Sequence, residues 1–236
     1  MANNKKNNKT ESKSSSKFIF WVIGLIAVGI LALIVFGNHS KDQDKPKEMK
    51  IDYSNQPFLG KESAPVSIIE FGDYKCPNCK NFSQGLVPII QKELVDTGKA
   101  KFYFMNDSFI NVDSERSAQF AESVFHELGN ETFWKFHDLL FEKQPEDPKY
   151  EKIDVFTEKF LIDTLKEVAN DQDVEKVVQH FQSGKSKEAW DKDMKYVEKL
   201  GVTGTPTMFV NGKMFEGKNM DDLIKMVDEA AKEKKK

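Results

Sequence analysis

The first pattern along the chain is an unbroken apolar run, FIFWVIGLIAVGILALIVFG, from Phe18 to Gly37, with no charged side chain in its twenty positions. At ~1.5 Å per residue a helix of that length covers about 30 Å, the thickness of a bilayer's hydrocarbon core. The run predicts a transmembrane helix over 18–37. A cleaved signal peptide is the competing reading, but its apolar region is ordinarily ~7–15 residues and ends at a small-x-small site. Here the run exits into NHSKDQDKPKE. Residues 38–58 are polar without a sustained period and predict a linker. That leaves 59–236 as one globular domain, long enough for a substantial core.

Within the domain two periods alternate. PVSIIEF (Pro65–Phe71) and KAKFYFM (Lys99–Met105) are short apolar runs suited to buried strands. Between them CPNCKNFSQGLVPIIQKELVDTG predicts a helix ending near Gly98, with a kink at Gly85–Pro88, because Pro88 cannot donate an N–H in mid-helix. From about 110 to 200 the pattern is helical, in SERSAQFAESVFHELG, ETFWKFHDLLFEK, IDVFTEKFLIDTLKEVA, DVEKVVQHFQ and SKEAWDKDMKYVEKLG. Ala118, Ala121, Phe125 and Leu128 keep helical spacing, and Gly129, Gly184 and Gly201 end segments. Phe133, Trp134, Phe136 and Phe141 are assigned to the core. TMFV and KMFEG then pair through Asn211-Gly212 as a hairpin, and a last helix begins near Asn219. The class is α/β.

Charge adds direction. With 35 basic and 38 acidic residues and a formal net charge of −3, the chain gives no reason to expect nucleic acid as a partner. Residues 1–17 hold five lysines and one acid, +4, so the remainder carries −7. The positive-inside bias puts the basic tail 1–17 in the cytoplasm and everything after Gly37 outside, on a cell membrane. The only arginine is Arg116, either a bidentate carboxylate clamp that lysine could not replace or an ordinary surface residue. NDSFINVDSE, from Asn106 to Glu115, is a candidate calcium-binding stretch, although it lacks the EF-hand pattern.

Both cysteines, Cys76 and Cys79, lie in EFGDYKCPNCKNF. A structural bridge between them would enclose almost no loop, and the benefit of a disulfide grows with loop length. A closed zinc site needs about four ligands, and His39, His126, His137 and His180 are not in H-x₃₋₅-H spacing; no zinc site is expected. A reactive dithiol fits the pattern. Pro77 belongs in a first helical turn, which places Cys76 at the helix N-terminus. There the unpaired N–H groups and the dipole stabilise a thiolate. Cys79 lies on the same face, within reach and more sheltered.

Strand, C-P-x-C at a helix start and the later GVTGTPTMFVNGKMF together resemble the thioredoxin fold. EFGDYKCPNC is similar to DsbA-type thiol-disulfide oxidoreductases, especially the membrane-anchored ones of Gram-positive bacteria, and the resemblance covers about three-quarters of the chain. It implies a thioredoxin-like fold with a large inserted helical subdomain, consistent with the 127-position separation of Cys79 and Pro206. It also implies a redox-active Cys76–Cys79 disulfide with no other required cofactor. Pro206 would be a cis-proline beside the dithiol, and with Thr205 would offer backbone hydrogen bonds to an extended substrate; an ordinary tight turn is the alternative. Glu70 would be a semi-buried acid relaying protons to Cys79, or else a plain strand-edge glutamate. Asn78 departs from the pattern, since the best-known family member has a histidine there that helps the thiolate. The implied function is a dithiol oxidase that introduces disulfides into reduced, unfolded exported proteins and is re-oxidised by a quinone-linked membrane partner. A reductase or isomerase using the same dithiol, and a membrane-tethered holdase with an incidental bridge, are the rivals.

Overall fold

Residues 50–233 are described by the computed structural model. The expected tail 1–17, the apolar run 18–37 and the linker as far as 49 lie outside the described residues. Among the described residues no helix is long and apolar enough to cross a membrane.

Strand β2 (Val66–Gly72) is buried at all seven positions. It lies in mid-sheet with both faces covered, which is why its sequence is apolar without strict alternation. Strand β3 (Ala100–Asn106) runs parallel to it, with Val66 opposite Ala100 and Glu70 opposite Phe104. Strand β1 (Phe58–Leu59) pairs antiparallel with β3 on one side. On the other side β4 (Thr207–Val210) pairs antiparallel with β2, and β5 (Lys213–Met214) forms the edge. The order is β1-β3-β2-β4-β5. Asn211 and Gly212 both take positive φ, 47° and 81°, as a tight two-residue hairpin turn requires.

The sheet's period of two sorts the core. Val66, Ile68, Phe102 and Phe104 face one way, into a cluster with Tyr74, Phe133, Phe136 and Phe141. Ile69, Phe71, Tyr103, Met105 and Phe209 face the other, against Tyr196, Val197 and Leu200. The aromatic group assigned to the core is buried there. Each such side chain contributes about 1.5–3 kcal/mol by leaving water.

Helix α1 (Pro77–Gly85) stops at Leu86, and α2 (Val87–Ile90) runs on into a π-helical turn, Gln91–Val95, so the break falls where Pro88 demanded it. Helix α3 (Val112–Lys143) is interrupted at Gly129, whose φ of 75° and ψ of −172° are not helical. The two helical patterns met there as expected. Helices α4 (Glu158–Leu165), α5 (Asp171–Gln182) and α6 (Ser186–Leu200) complete the insertion between β3 and β4, and α7 (Met220–Glu233) closes the chain.

Two boundaries differ from expectation. Residues 50–58, assigned to the linker, belong to the domain. Ile51 and Gln56 are buried, and the Tyr53 ring lies 4.6 Å from that of Tyr103. Single anchors spaced along an extended edge leave no period to detect. The helix expected from Ile153 begins only at Glu158. Before it come a 3-10 turn at Pro148–Lys152 and an extended stretch whose Val155 and Phe156 amides donate to Asp113 Oδ2 at 2.8 and 3.0 Å. Those amides are spent on a distant carboxylate, and Thr157 caps the shortened helix through Phe160 N.

Candidate active site

The turn after β2 delivers Cys76 as the N-cap of α1, with extended backbone (φ −79°, ψ 119°) and Pro77 in the first turn. Both thiols are free: Cys76 is 5 % exposed and Cys79 fully buried. Cys76 Sγ donates to the Thr205 carbonyl at 3.4 Å, and the Thr205–Pro206 bond is cis. The dithiol and the Thr205–Pro206 turn, distant in sequence, therefore form one site.

Electrostatics separate the two sulfurs. The Cys76 thiol is lowered to about 6, first by the hydrogen bond from the Cys79 thiol, against the cost of burial. The Thr205 side chain and the backbone N–H groups of Cys79 and Asn78 lower it further. The helix terminus thus contributes, but the partner thiol contributes most, and Asn78 acts through its backbone. Cys79 is pushed strongly upward, first by burial and then by the bond it makes to Cys76.

Glu70, on β2, is completely buried and close enough to act electrostatically on both sulfurs. The strand-edge alternative fails, because β2 is central. Neither carboxyl oxygen has a hydrogen-bond partner among the described residues. Burial, with a smaller push from Cys76, raises its pKa well above the ordinary carboxylate value and favours the protonated acid. On the rim, Asp107 is raised to about 6 by burial, then by Asp73 and Cys76.

Sequence reasoning missed the residues that hold the turn. Lys75, next to Cys76, is buried, with Nζ 3.0 Å from Asp113 Oδ2. It also donates to the Tyr150 and Ile153 carbonyls at 2.6 and 2.8 Å. Gln144 Nε2 donates to the carbonyls of Tyr74 and Cys76 at 2.6 and 3.1 Å. Asp73 accepts from the amides of Lys75, Phe109 and Ile110. The only signal in sequence was a lysine inside an otherwise buried stretch, and nothing local named its partner. Arg116 is a fork after all, meeting both oxygens of Asp154 at 2.6 and 3.1 Å.

The 106–115 stretch does not gather its oxygens at one point. Asp113 is taken by Lys75, and Ser114 Oγ accepts from Asn111 N in a helix cap. Asn106 turns to a separate buried cluster, where its Nδ2 donates to Glu122 and Asp193 and Gln56 Nε2 donates to Asp193.

The fold and the paired sulfurs define a thiol-disulfide oxidoreductase of the thioredoxin class, and a thioredoxin family model matches residues 52–229. A probable disulfide bond formation protein D of Bacillus anthracis is 34% identical over 93% of this chain and 99% of its own length. Disulfide bond formation protein D of Bacillus subtilis is 37% identical over 76% of this chain and 78% of its own length. The chain belongs to the disulfide bond formation protein D family. The crystal structure of oxidised BdbD from Bacillus subtilis superposes with a TM-score of 0.70 at 33% identity, covering 78% of this chain and 96% of that one. Chlamydia trachomatis DsbA, at 22% identity and a TM-score of 0.64, shares the fold. The thioredoxin-like fold with a helical insertion, and the assignment as a protein-disulfide oxidoreductase, stand on these likenesses.

Proposed function

We propose that the chain is a dithiol oxidase that donates the Cys76–Cys79 disulfide to reduced proteins on the outer side of the membrane. The supporting observation is the opposite displacement of the two thiols, Cys76 down to about 6 and Cys79 strongly up. A substrate thiolate attacks Cys76 Sγ, the S–S bond breaks, and Cys79 leaves with the electron pair. Cys79 cannot stay a thiolate in its buried place, and Glu70 supplies the proton. A second substrate thiolate then attacks the substrate sulfur of the mixed disulfide, and Cys76 leaves as a stabilised thiolate. Two electrons have passed from substrate to enzyme. Thr205 and Pro206 hold the extended substrate strand beside Cys76 through their backbone.

The expected anchor at 18–37 would tether this domain to the cell membrane. A quinone-linked partner there would take the electrons and restore the disulfide. Calcium has a better home than the 106–115 stretch as a whole. Glu122 and Asp193 are buried together, and among the described residues the nearby side-chain carbonyls of Gln56 and Asn106 accept no hydrogen bond. These hard oxygen donors suit calcium, and a chelator would then lower the melting temperature. The holdase reading loses its surface, because Phe133, Trp134, Phe136 and Phe141 are interior.

The test is a pair of variants incubated with a reduced, unfolded substrate. Cys76→Ser should abolish disulfide transfer. Cys79→Ser should accumulate a covalent enzyme–substrate adduct visible on non-reducing gels. Wild-type turnover by Cys76→Ser would refute the assignment.

A further inference from the structure

Two histidines absent from the mechanism, 54 residues apart in sequence, are stacked by the tertiary structure. His126, on α3 before its break, and His180, on α5, have ring centroids 4.2 Å apart and planes inclined by 18°. Their hydrogen bonds define where each ring carries its proton. Ser123 Oγ spends its only proton on the Gln119 carbonyl at 3.0 Å, so it can only accept from His180 Nδ1, 3.1 Å away. The Glu127 carboxylate, 2.9 Å from His126 Nδ1, is likewise an acceptor. In their neutral form both imidazoles therefore hold hydrogen at Nδ1 and present Nε2 as a lone pair. Among the described residues neither Nε2 is hydrogen-bonded to the protein.

A carboxylate or hydroxyl on Nδ1 with Nε2 left open is how ligating histidines are oriented. One donor atom from each of His126, Glu127 and His180 lies within 4.8 Å of the others. In the stack the in-plane lone pairs run nearly parallel, so the His126 side chain, which is 65% exposed, turns out of the stack to let both nitrogens meet one ion.

We propose that His126 and His180 form a binding site for a late first-row divalent transition ion such as zinc, with Glu127 orienting His126 and water filling the remaining positions. Imidazole nitrogen suits these ions better than it suits calcium or magnesium. The ion would clamp α3 to α5 beside the Gly129 break. An ion that binds only the folded state raises stability by RT ln(1 + L/Kd), where L is its free concentration.

The probe is zinc, added to the full-length protein with Cys76 and Cys79 oxidised, so that neither thiol can bind metal, and with calcium in excess. Calorimetry should show one equivalent bound through these residues, accompanied by a rise in the melting temperature. His126→Ala changes an exposed side chain, leaves the fold intact and should remove both effects. Glu127→Gln should weaken zinc binding about tenfold. Absence of zinc binding by the parent protein, or full zinc affinity in His126→Ala, would overturn the site. Undiminished affinity in Glu127→Gln would overturn the orienting role.

Discussion

Glu70 and Lys75 are both buried titratable side chains in the segment that carries the dithiol, yet their surroundings are opposite. Lys75 is saturated by the Asp113 carboxylate, two carbonyls and the Phe156 ring face, 5.4 Å away. Among the described residues Glu70 has no partner for either oxygen. A fully paired charge resists displacement, so Lys75 rivets the cysteine turn to the helical insertion. An unpaired carboxyl in the same low dielectric holds nothing in place; its burial only tightens its grip on a proton. One group fixes the position of Cys76, while the other provides acid to Cys79.

The largest effect should come from breaking the saturated side. Asp113→Ala strands the Lys75 ammonium and should cost about 3–5 kcal/mol, read as a lower urea midpoint at constant m. Replacing both, as Lys75→Met with Asp113→Leu, should cost far less. Equal losses in the single and double variants would show that packing and the Val155 and Phe156 amides on Asp113, not charge pairing, hold the turn. Next in size, Glu70→Gln removes the acid but not the shape. It should leave the urea midpoint near the parent's while slowing release of Cys79 about 100-fold, measured by stopped-flow against a model thiol. An unchanged rate would end the proton-relay role.

The smallest effect is a pH dependence. The Cys76 pKa is depressed from the ordinary 9.0 to about 6, so its stabilising share is complete above pH 9 and is lost as pH falls through 6. At pH 7 that share is about 1.4 kcal/mol, equivalent to about 30 mV for a two-electron couple. The oxidised protein has no thiolate to lose. The stability gap between reduced and oxidised forms should therefore narrow by about 1.4 kcal/mol between pH 7 and pH 5, measured by parallel denaturant melts. A gap independent of pH would mean that Cys76 ionises as an ordinary thiol.

Much of this was legible along the chain. Pro77 marks the start of α1, Pro88 its break, Asn211-Gly212 a turn with two positive φ angles, and Gly129 the division of α3. Each signal acts through backbone sterics or a missing N–H within a few residues, so local sequence suffices. The domain's start escaped because Ile51, Tyr53 and Phe58 are isolated anchors on a sheet edge, with no period between them.

The sequence alone determined that a dithiol opens a helix behind a buried strand, because thiol spacing, proline placement and apolar runs act at short range. Only the tertiary structure decided the partners: Thr205 beside Cys76, Asp113 on Lys75, isolation for Glu70, and His180 against His126. Those outcomes depend on distances and burial between segments far apart in sequence, and spacing along a chain does not encode them.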